Sequence, residues 1–554
     1  MTAKKTGTST MNRHMKQACH DRNYDSGQHQ PSMSSFVTPP NIPLRARQAV
    51  TEKCVEFCCK DIRPFYVVSG QGFERLAQEL INVGATYGRV SAQSILPHHS
   101  TVSKACIEKA DERREVLAQT LKDALKNGDV AMSTDMWTDD YRKISYIAIT
   151  CHYITDNYDL VGKTLTTAMF PVEDAKTGKN IRREIVGLLV NKFGLDPSSL
   201  NRIVWVTDEG SNIIKALEPY KRLSCLDHLI NTVLRHGLHA DALSENAPDI
   251  GETISAAKGL VRYLKQSGLV AQLSKTVLQM GETRFSTVYL TLKSLQDIYA
   301  ELREKLETRG EVERIENIAP DLLSFLVTFL EPFYNAQREL EGDKYATINL
   351  VCLWVERLKR HCQPSPTDSP QQAFVRQRHA EFIVQKIKVN MLHKVALFLW
   401  PKFNKLRMMS PVEIAEVHAH VRTLLLPVDE DAAVAHGATS STGFTPPAAR
   451  PRRDSEFAEW ENQDDDNEPD EDEVAMYNSQ KHAMDDDRDL LKWWKVNGLV
   501  YPKLARLARS VLCIPASSSS SKRVFSAAGR TIEQRRTALK PETVDAILFL
   551  HDNM

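Results

Sequence analysis

Between positions 130 and 170 the spacing of apolar residues changes, and that change limits the fold more than any other feature of the chain. Upstream, over residues 44–127, apolar residues recur every three or four positions, as in RQAVTEKCVEFCCKDIRPF, GFERLAQELINVGA and STVSKACIEKADERREVLAQTLKDAL. That period predicts amphipathic helices, with Ser100 and Thr101 as expected N-caps. From Val130 three β-rich runs follow: AMSTDMWT, KISYIAITCHYIT and YDLVGKTLTTAMF. Asp156-Asn157 reads as the hairpin turn between the second and third. A helix over about 180–193 leads to RIVWVT, a short apolar run typical of a buried parallel strand. It ends in Asp208-Glu209-Gly210-Ser211-Asn212, where another helix begins. The order βββαβα indicates an α/β domain with a mixed sheet.

The rest is different in kind. Residues 236–426 are helical in pattern, broken by a Pro-rich loop at 363–370. Residues 427–489 are Pro/Ser/Ala-rich and then acidic, and disorder is expected there. Residues 490–554 return to apolar helices. Residues 1–43 are polar and basic, and 23–43 read as a linker. A chain of 554 residues is too long for one ordinary core.

Charge needs to be located before it is interpreted. Lys and Arg number 71, as do Asp and Glu, so the formal net charge is zero. Twelve acids and no base fall between Asp454 and Glu473, which leaves +12 on the remainder. The neutral total therefore does not argue against nucleic acid. The acidic tract reads as a solvated linker, with Phe457 and Trp460 leaving a chromatin-protein contact open. No apolar run approaches the ~18 residues of a membrane span. The scattered cysteines read as reduced thiols.

Asp135 lies in the first strand and Asp208 at the end of the fourth. Carboxylates at neighbouring strand ends can converge, and with a third acid can hold two divalent ions about 3.5–4 Å apart for attack on phosphate. The words around them are more specific. STDMWTDDYRKISYIAITCHYI, VWVTDEGSNI, CLDHLIN, ETRFS and IPASSSSSKRVFSAAGRTIEQRRTALKPETVDAILFL together resemble a transposase of the hAT superfamily, of the hobo/Hermes type. DIRPFYVVSGQGFERLAQELI and FLEPFYNAQRELEGDKYATINLV extend the resemblance over nearly the whole chain outside the acidic linker.

The resemblance implies an RNase H-like domain interrupted by a large helical insertion, with helical N-terminal and C-terminal dimerisation segments. In domain terms that is a DNA-binding or dimerisation region at 44–127, an RNase H-like first part at 128–235, the insertion at 236–426, and a C-terminal dimerisation region at 490–554 that completes the fold. Asp135 and Asp208 match the first two acids of a DDE triad. The third falls in S-x-x-E-R-x-F-S, and here that position is Lys522. An ammonium has donors and no lone pair, whereas Mg²⁺ and Mn²⁺ take oxygen ligands. Lys522 would repel the metal and is expected to salt-bridge Asp135 and Asp208. Glu533 lies about 16 Å farther along a continuous helix and is out of reach. Loss of the strand-transfer chemistry is expected, with Mg or Mn relevant only to an active enzyme.

Residues 1–22 resemble the second half of a BED-type zinc finger, with His14 and Cys19 or His20 as the last two ligands. The upstream C-x2-C pair is absent, so zinc is not expected on this segment alone. Lys4, Lys5, Arg13 and Lys16 would contact DNA phosphates. Cys54, Cys58 and Cys59 are expected to face a core. His228, in the family's C-x-x-H element, reads as structural or DNA-positioning. Arg284-Phe285 stands where many relatives have Arg-Trp, so Phe285 either stacks on a flipped base or packs in the core. Trp493, Trp494, Leu504, Phe525, Ile547, Leu548 and Leu550 are expected to serve dimerisation, the last helix also completing the core. The expected partners are DNA and a second copy, without a membrane, and the expected compartment is the nucleus.

Overall fold

The computed structural model describes residues 42–139, 142–281, 286–426, 472–482, 484, 489–531 and 539–554. Calls on Lys4, Lys5, Arg13, His14, Lys16, Cys19, His20, Arg284, Phe285 and Glu533 lie outside the described residues. The chain divides into two compact units, residues 1–97 and 98–554.

The first unit is helical. Helix α1 (Leu44–Lys60) and helix α2 (Gln71–Tyr87) are linked through Phe57 and Phe73, whose rings stack with centroids 5.8 Å apart. Phe73, Leu76, Leu80 and Ile81 share one face of α2 by their spacing. Cys58 is the buried side chain of α1, whereas Cys54 is half-buried and Cys59 exposed. Only one of the three expected core cysteines is therefore inside.

The second unit opens with α3 (His99–Asn127). His98 caps it by accepting from the Ser100 backbone N–H, so Ser100 and Thr101 lie within the first turn instead of capping it. Gly128, left-handed at φ 73°, ends the helix, and Lys126 sits in its last turn. The strands follow: β1 (Val130–Thr138), β2 (Ser145–Ile154), β3 (Leu160–Met169), β4 (Val204–Thr207) and β5 (Lys221–Ser224). Asp156-Asn157 forms the β2–β3 turn as expected, closed by the Tyr158 N–H donating to the Thr155 carbonyl at 2.8 Å. The sheet order is β3-β2-β1-β4-β5. Strands β1, β2 and β3 pair antiparallel, while β4 joins β1 and β5 joins β4 in parallel.

Between these strands lie α4 (Gly178–Phe193), which Thr177 caps, and α5 (Ser211–Leu217). One face of the sheet is closed by α3, α4 and α5: Leu121 and Leu125, Ile181, Ile185 and Leu189, and Ile213 and Leu217 pack on Met132, Ile149, Cys151 and Trp205. The second face meets the rest of the chain. Helix α6 (Leu226–Gly237) starts directly after β5. A helical region follows with α7 (Pro248–Gln266), α8 (Ser286–Asp297), α9 (Tyr299–Thr308), α10 (Pro320–Leu340), α11 (Val351–His361), α12 (Pro370–Lys386), α13 (Met391–Phe398) and α14 (Pro411–Leu425), the stretch expected to be an insertion. The expected 363–370 loop ends in a capping box, Ser369 with Gln372, that starts α12 with Pro370 at its first position.

The segment expected to be disordered up to 489 contains α15 (Glu473–Ser479), which Asp472 caps. Val474 and Tyr477 are fully buried, with Tyr477 packed among Phe398, Trp493, Trp494 and Tyr501. The expected disorder therefore does not hold for 473–479: two apolar residues spaced three apart are enough to dock this short helix. Then come α16 (Leu490–Asn497), α17 (Pro502–Leu512), α18 (Ser519–Thr531) and α19 (Pro541–Asn553). Ala131, Val206 and Leu223 of the sheet share one continuous core with the insertion, α15, α16 and α17.

Helix α19 covers the free edge of the sheet. Strand β3 is an edge strand, and its outward N–H groups need acceptors. Asp545 Oδ1 accepts from the Thr167 N–H at 2.6 Å, and Asp552 Oδ2 accepts from the Thr164 N–H at 2.6 Å. Buried Asp545 also pairs with Arg114 of α3 at 2.9 Å and Lys192 of α4 at 2.5 Å. The C-terminal helix is thus sewn to the sheet by carboxylates as well as by Val544 and Leu548, while Phe549 packs on α3.

Candidate functional site

Strand β1 alternates faces. Val130 and Met132 enter the core under α3 and α4, so Ser133, Asp135 and Trp137 face the opposite way. Trp137 packs on Phe525 of α18, centroids 5.9 Å apart, which sets that face against α18. Asp135 Oδ1 accepts from the Met136 N–H at 2.8 Å. Asp208 lies one residue past β4, the parallel neighbour of β1, and its Oδ1 accepts from the Gly210 N–H at 3.1 Å. The two carboxylates feel each other: burial and then Asp208 push the Asp135 carboxyl up to about 6, against the pull of Lys522. Asp208 and Lys522 both act electrostatically on Asp135.

Lys522 forms a different ion pair from the one expected. Its Nζ donates to Asp227 Oδ2 at 3.0 Å, not to Asp135 or Asp208. Asp227 is in the first turn of α6, within the Cys225-Leu226-Asp227-His228 element, and its Oδ1 accepts from Gln337 of α10 at 2.7 Å. Burial opposes the charge on Lys522, but the Asp227 and Asp135 carboxylates outweigh it and hold the ammonium above the ordinary lysine value. Burial pushes the Cys225 thiol up, so it is neutral at pH 7 and the carboxylates carry that effect. Asp227 thus joins Lys522 of α18 to Gln337 of α10. His228 is half-buried in the same turn.

A run of small polar residues fixes where Lys522 sits. The Ala516 N–H donates to Thr347 Oγ1 at 2.9 Å, the Ser517 hydroxyl to the Leu340 carbonyl at 3.1 Å, and the Ser518 N–H to Cys225 Sγ at 3.3 Å. Ser520 and Ser521 lie 3.0 and 3.1 Å from the Ser133 hydroxyl, two residues before Asp135. Thr150 and the His152 ring complete the cluster. Burial, reinforced by Arg523, pushes His152 down to about 4, so its imidazole is neutral at pH 7. The serine run thus locks the first turn of α18 against β1 and β2. Its sheet partners Ser133 and His152 lie more than 350 positions earlier in the chain.

The divalent-ion hypothesis can be tested on these residues. Asp135 and Asp208 supply oxygen donors, but the third group is an ammonium engaged with Asp227. Among the described residues no group of three or more His, Cys, Asp or Glu side chains is arranged to hold a metal ion. The set does not fit a two-ion site.

The residues expected to serve dimerisation are mostly internal. Trp494, Leu504, Phe525, Leu548 and Leu550 are buried within one chain, and Trp493 and Ile547 are half-buried. No helix among the described residues is long and apolar enough to cross a membrane.

Two family models, both from hAT transposases, match parts of the chain. Residues 473–554 match the hAT family C-terminal dimerisation region, and residues 41–101 match the Hermes transposase DNA-binding domain. The chain is 26% identical over 521 residues to the transposable element Hobo transposase of Drosophila melanogaster, covering 86% of this chain and 78% of that protein. It is 24% identical over 538 residues to zinc finger protein 618 of Homo sapiens, spanning 94% of this chain but about half (53%) of that protein. A zinc finger BED domain-containing protein of Arabidopsis thaliana is 43% identical over 60 residues, 11% of this chain and 9% of that protein. The chain is thus similar to hAT transposases, and two of its segments match their DNA-binding and dimerisation domains.

Proposed function

We propose that this is a dimerising, DNA-binding nuclear protein derived from a hAT transposase, in which strand-transfer chemistry has been lost. The observation that carries the reading is the Lys522–Asp227 ion pair at the position where the family's third acid belongs. The sheet order, three antiparallel strands followed by two parallel ones with acids on β1 and at the end of β4, supports an RNase H-like core split by the insertion. Asp135 and Asp208 would then be vestiges of the metal-binding pair. DNA would be held mainly through phosphates, by Lys and Arg side chains, with the 41–101 domain at the front of that contact.

Terminal-inverted-repeat DNA incubated with the chain and Mn²⁺ should remain uncut. Nicking that disappears in Asp135→Asn would overturn the loss of chemistry and favour an active transposase. Gel shifts at 50 and 200 mM salt test the DNA contact, which should weaken about a thousandfold for six phosphate contacts. No shift at the lower salt would favour a protein-interaction scaffold instead.

A further inference from the structure

The matched dimerisation region, residues 473–554, raises a question of supply. Its strongly apolar side chains are spent inside one chain: Trp494 and Leu504 in the core shared with the insertion, Phe525 and Leu548 against Tyr146 and Ala148, Phe549 and Leu550 against α3. Among the described residues of this region, the exposed large apolar side chains are Val496 (76% exposed), Leu499 (95%), Val500 (52%) and the terminal Met554. Three of the four fall within five positions, where the chain passes from α16 to α17. A leucine held almost wholly in water at the tip of a turn gains nothing for its own fold.

Beside that turn is an open cleft of about 510 Å³. Gly498, Leu499, Pro502 and Ala505 form its apolar wall with Tyr158, and Lys495, Arg506 and Arg509 stand among its polar lining residues. Arg509 is engaged by Asp129 at 3.1 Å and by Asp156 at 2.7 Å. The floor is firm, because the Tyr158 hydroxyl donates to the Ala505 carbonyl and Asp129 is fully buried. A projecting leucine and a receptive cleft therefore share one surface, which is the arrangement a two-fold contact requires: each copy offers the knob and the socket to the other.

We infer that a second copy of this chain docks here, Leu499 of each protomer entering the partner's cleft, with Val496 and Val500 flanking it as the apolar centre of the interface. The inference rests on the self-association proposed above and names the surface that carries it. The internal residues Trp494, Leu504, Phe525, Leu548 and Leu550 then shape the platform without touching the partner.

Sedimentation velocity on the full chain, from nanomolar to tens of micromolar, decides the matter. The expected result is a wild-type dimer, a dissociation constant raised at least a hundredfold in Leu499→Asp and in Val496→Asp, and one within about threefold in Leu499→Met. The Tm of Leu499→Asp should equal that of the wild type, since the side chain makes no fold contact. A wild-type dimer with unchanged dissociation constants in both aspartate variants would overturn the surface while leaving self-association standing. A wild-type chain that is monomeric throughout would overturn both.

Discussion

Helices α2 and α17 are written in the same amphipathic style, yet they end in opposite states. Helix α17 buries Leu504, Ala505, Leu507, Ala508, Val511 and Leu512. Helix α2 buries none of its side chains: Leu76 is 51% exposed, Leu80 36% and Ile81 63%. The same contrast holds for the units around them. Residues 98–554 have cores on both faces of a sheet, whereas Cys58 is the buried hydrophobic side chain of described residues 42–97. An apolar stripe records that a face is to be covered; it does not record by what. In the larger unit the cover is the chain itself. In the smaller one, which matches a DNA-binding domain, the helices present Arg45, Arg47 and Arg75 to solvent alongside their apolar faces.

The largest expected break in this contrast is removal of residues 541–554. Without α19 the Thr164 and Thr167 N–H groups at the sheet edge lose their acceptors, and the Arg114 guanidinium keeps only Asp111 of its two carboxylate partners. The cooperative thermal transition of the sheet-bearing unit should vanish; a transition kept within 5 °C would show that the edge does not need its helix.

Acid comes next. Burial pushes His152, His379 and His393 each down to about 4. Depressed folded values mean that the unfolded chain binds protons first, so stability is lost as pH falls from about 6.5 towards 4. The loss is up to about 3 kcal/mol per histidine. Residues 42–97 contain no histidine, so urea melts across this range, followed by hydrogen exchange, should show the loss in the larger unit alone.

Arg114→Ala leaves Asp545 buried with Lys192 as its remaining cation, and should cost about 3–5 kcal/mol in urea melts. Asp135→Asn should act in the other direction. Its carboxyl titrates near 6, above the unfolded value of 3.8, so the wild type loses stability as pH rises from about 4 to 6. The amide has no charge to desolvate, and the variant should be about 1–2 kcal/mol more stable at pH 8 and nearly equal to wild type at pH 4. Smallest of all, Leu80→Ala in α2 should shift the unfolding free energy by less than about 0.5 kcal/mol. A cost above 2 kcal/mol would mean that this face is covered after all.

The sheet was legible because side chains alternate with period two, and Met132, Cys151 and Leu165 fall where that period puts them. Strand β5 was not: KRLS is four residues with one buried side chain, and only its register with β4 defines it. The positions of Asp135, Asp208 and Lys522 could be read from motifs. The partner of Lys522 could not, since Asp227 lies 295 positions away. The apolar face of α19 was visible, but whether it met another chain or its own sheet depended on Asp545 and Asp552, whose acceptor role has no local signature. Helix α15 was hidden in the acidic tract because composition was averaged over a window in which Val474 and Tyr477 counted for little.

The cover of the sheet edge also sets a schedule. Asp545 accepts from the backbone of Thr167, 378 positions earlier. At 5–20 residues per second, a ribosome would deliver that aspartate roughly 20 to 80 s after the strand it protects. Throughout that interval the nascent chain carries an open strand edge with the insertion being made between the edge and its lid. Such a chain has a long window for strand-to-strand mispairing with its neighbours on the same message, and holding chaperones would be needed most before the final fourteen residues emerge.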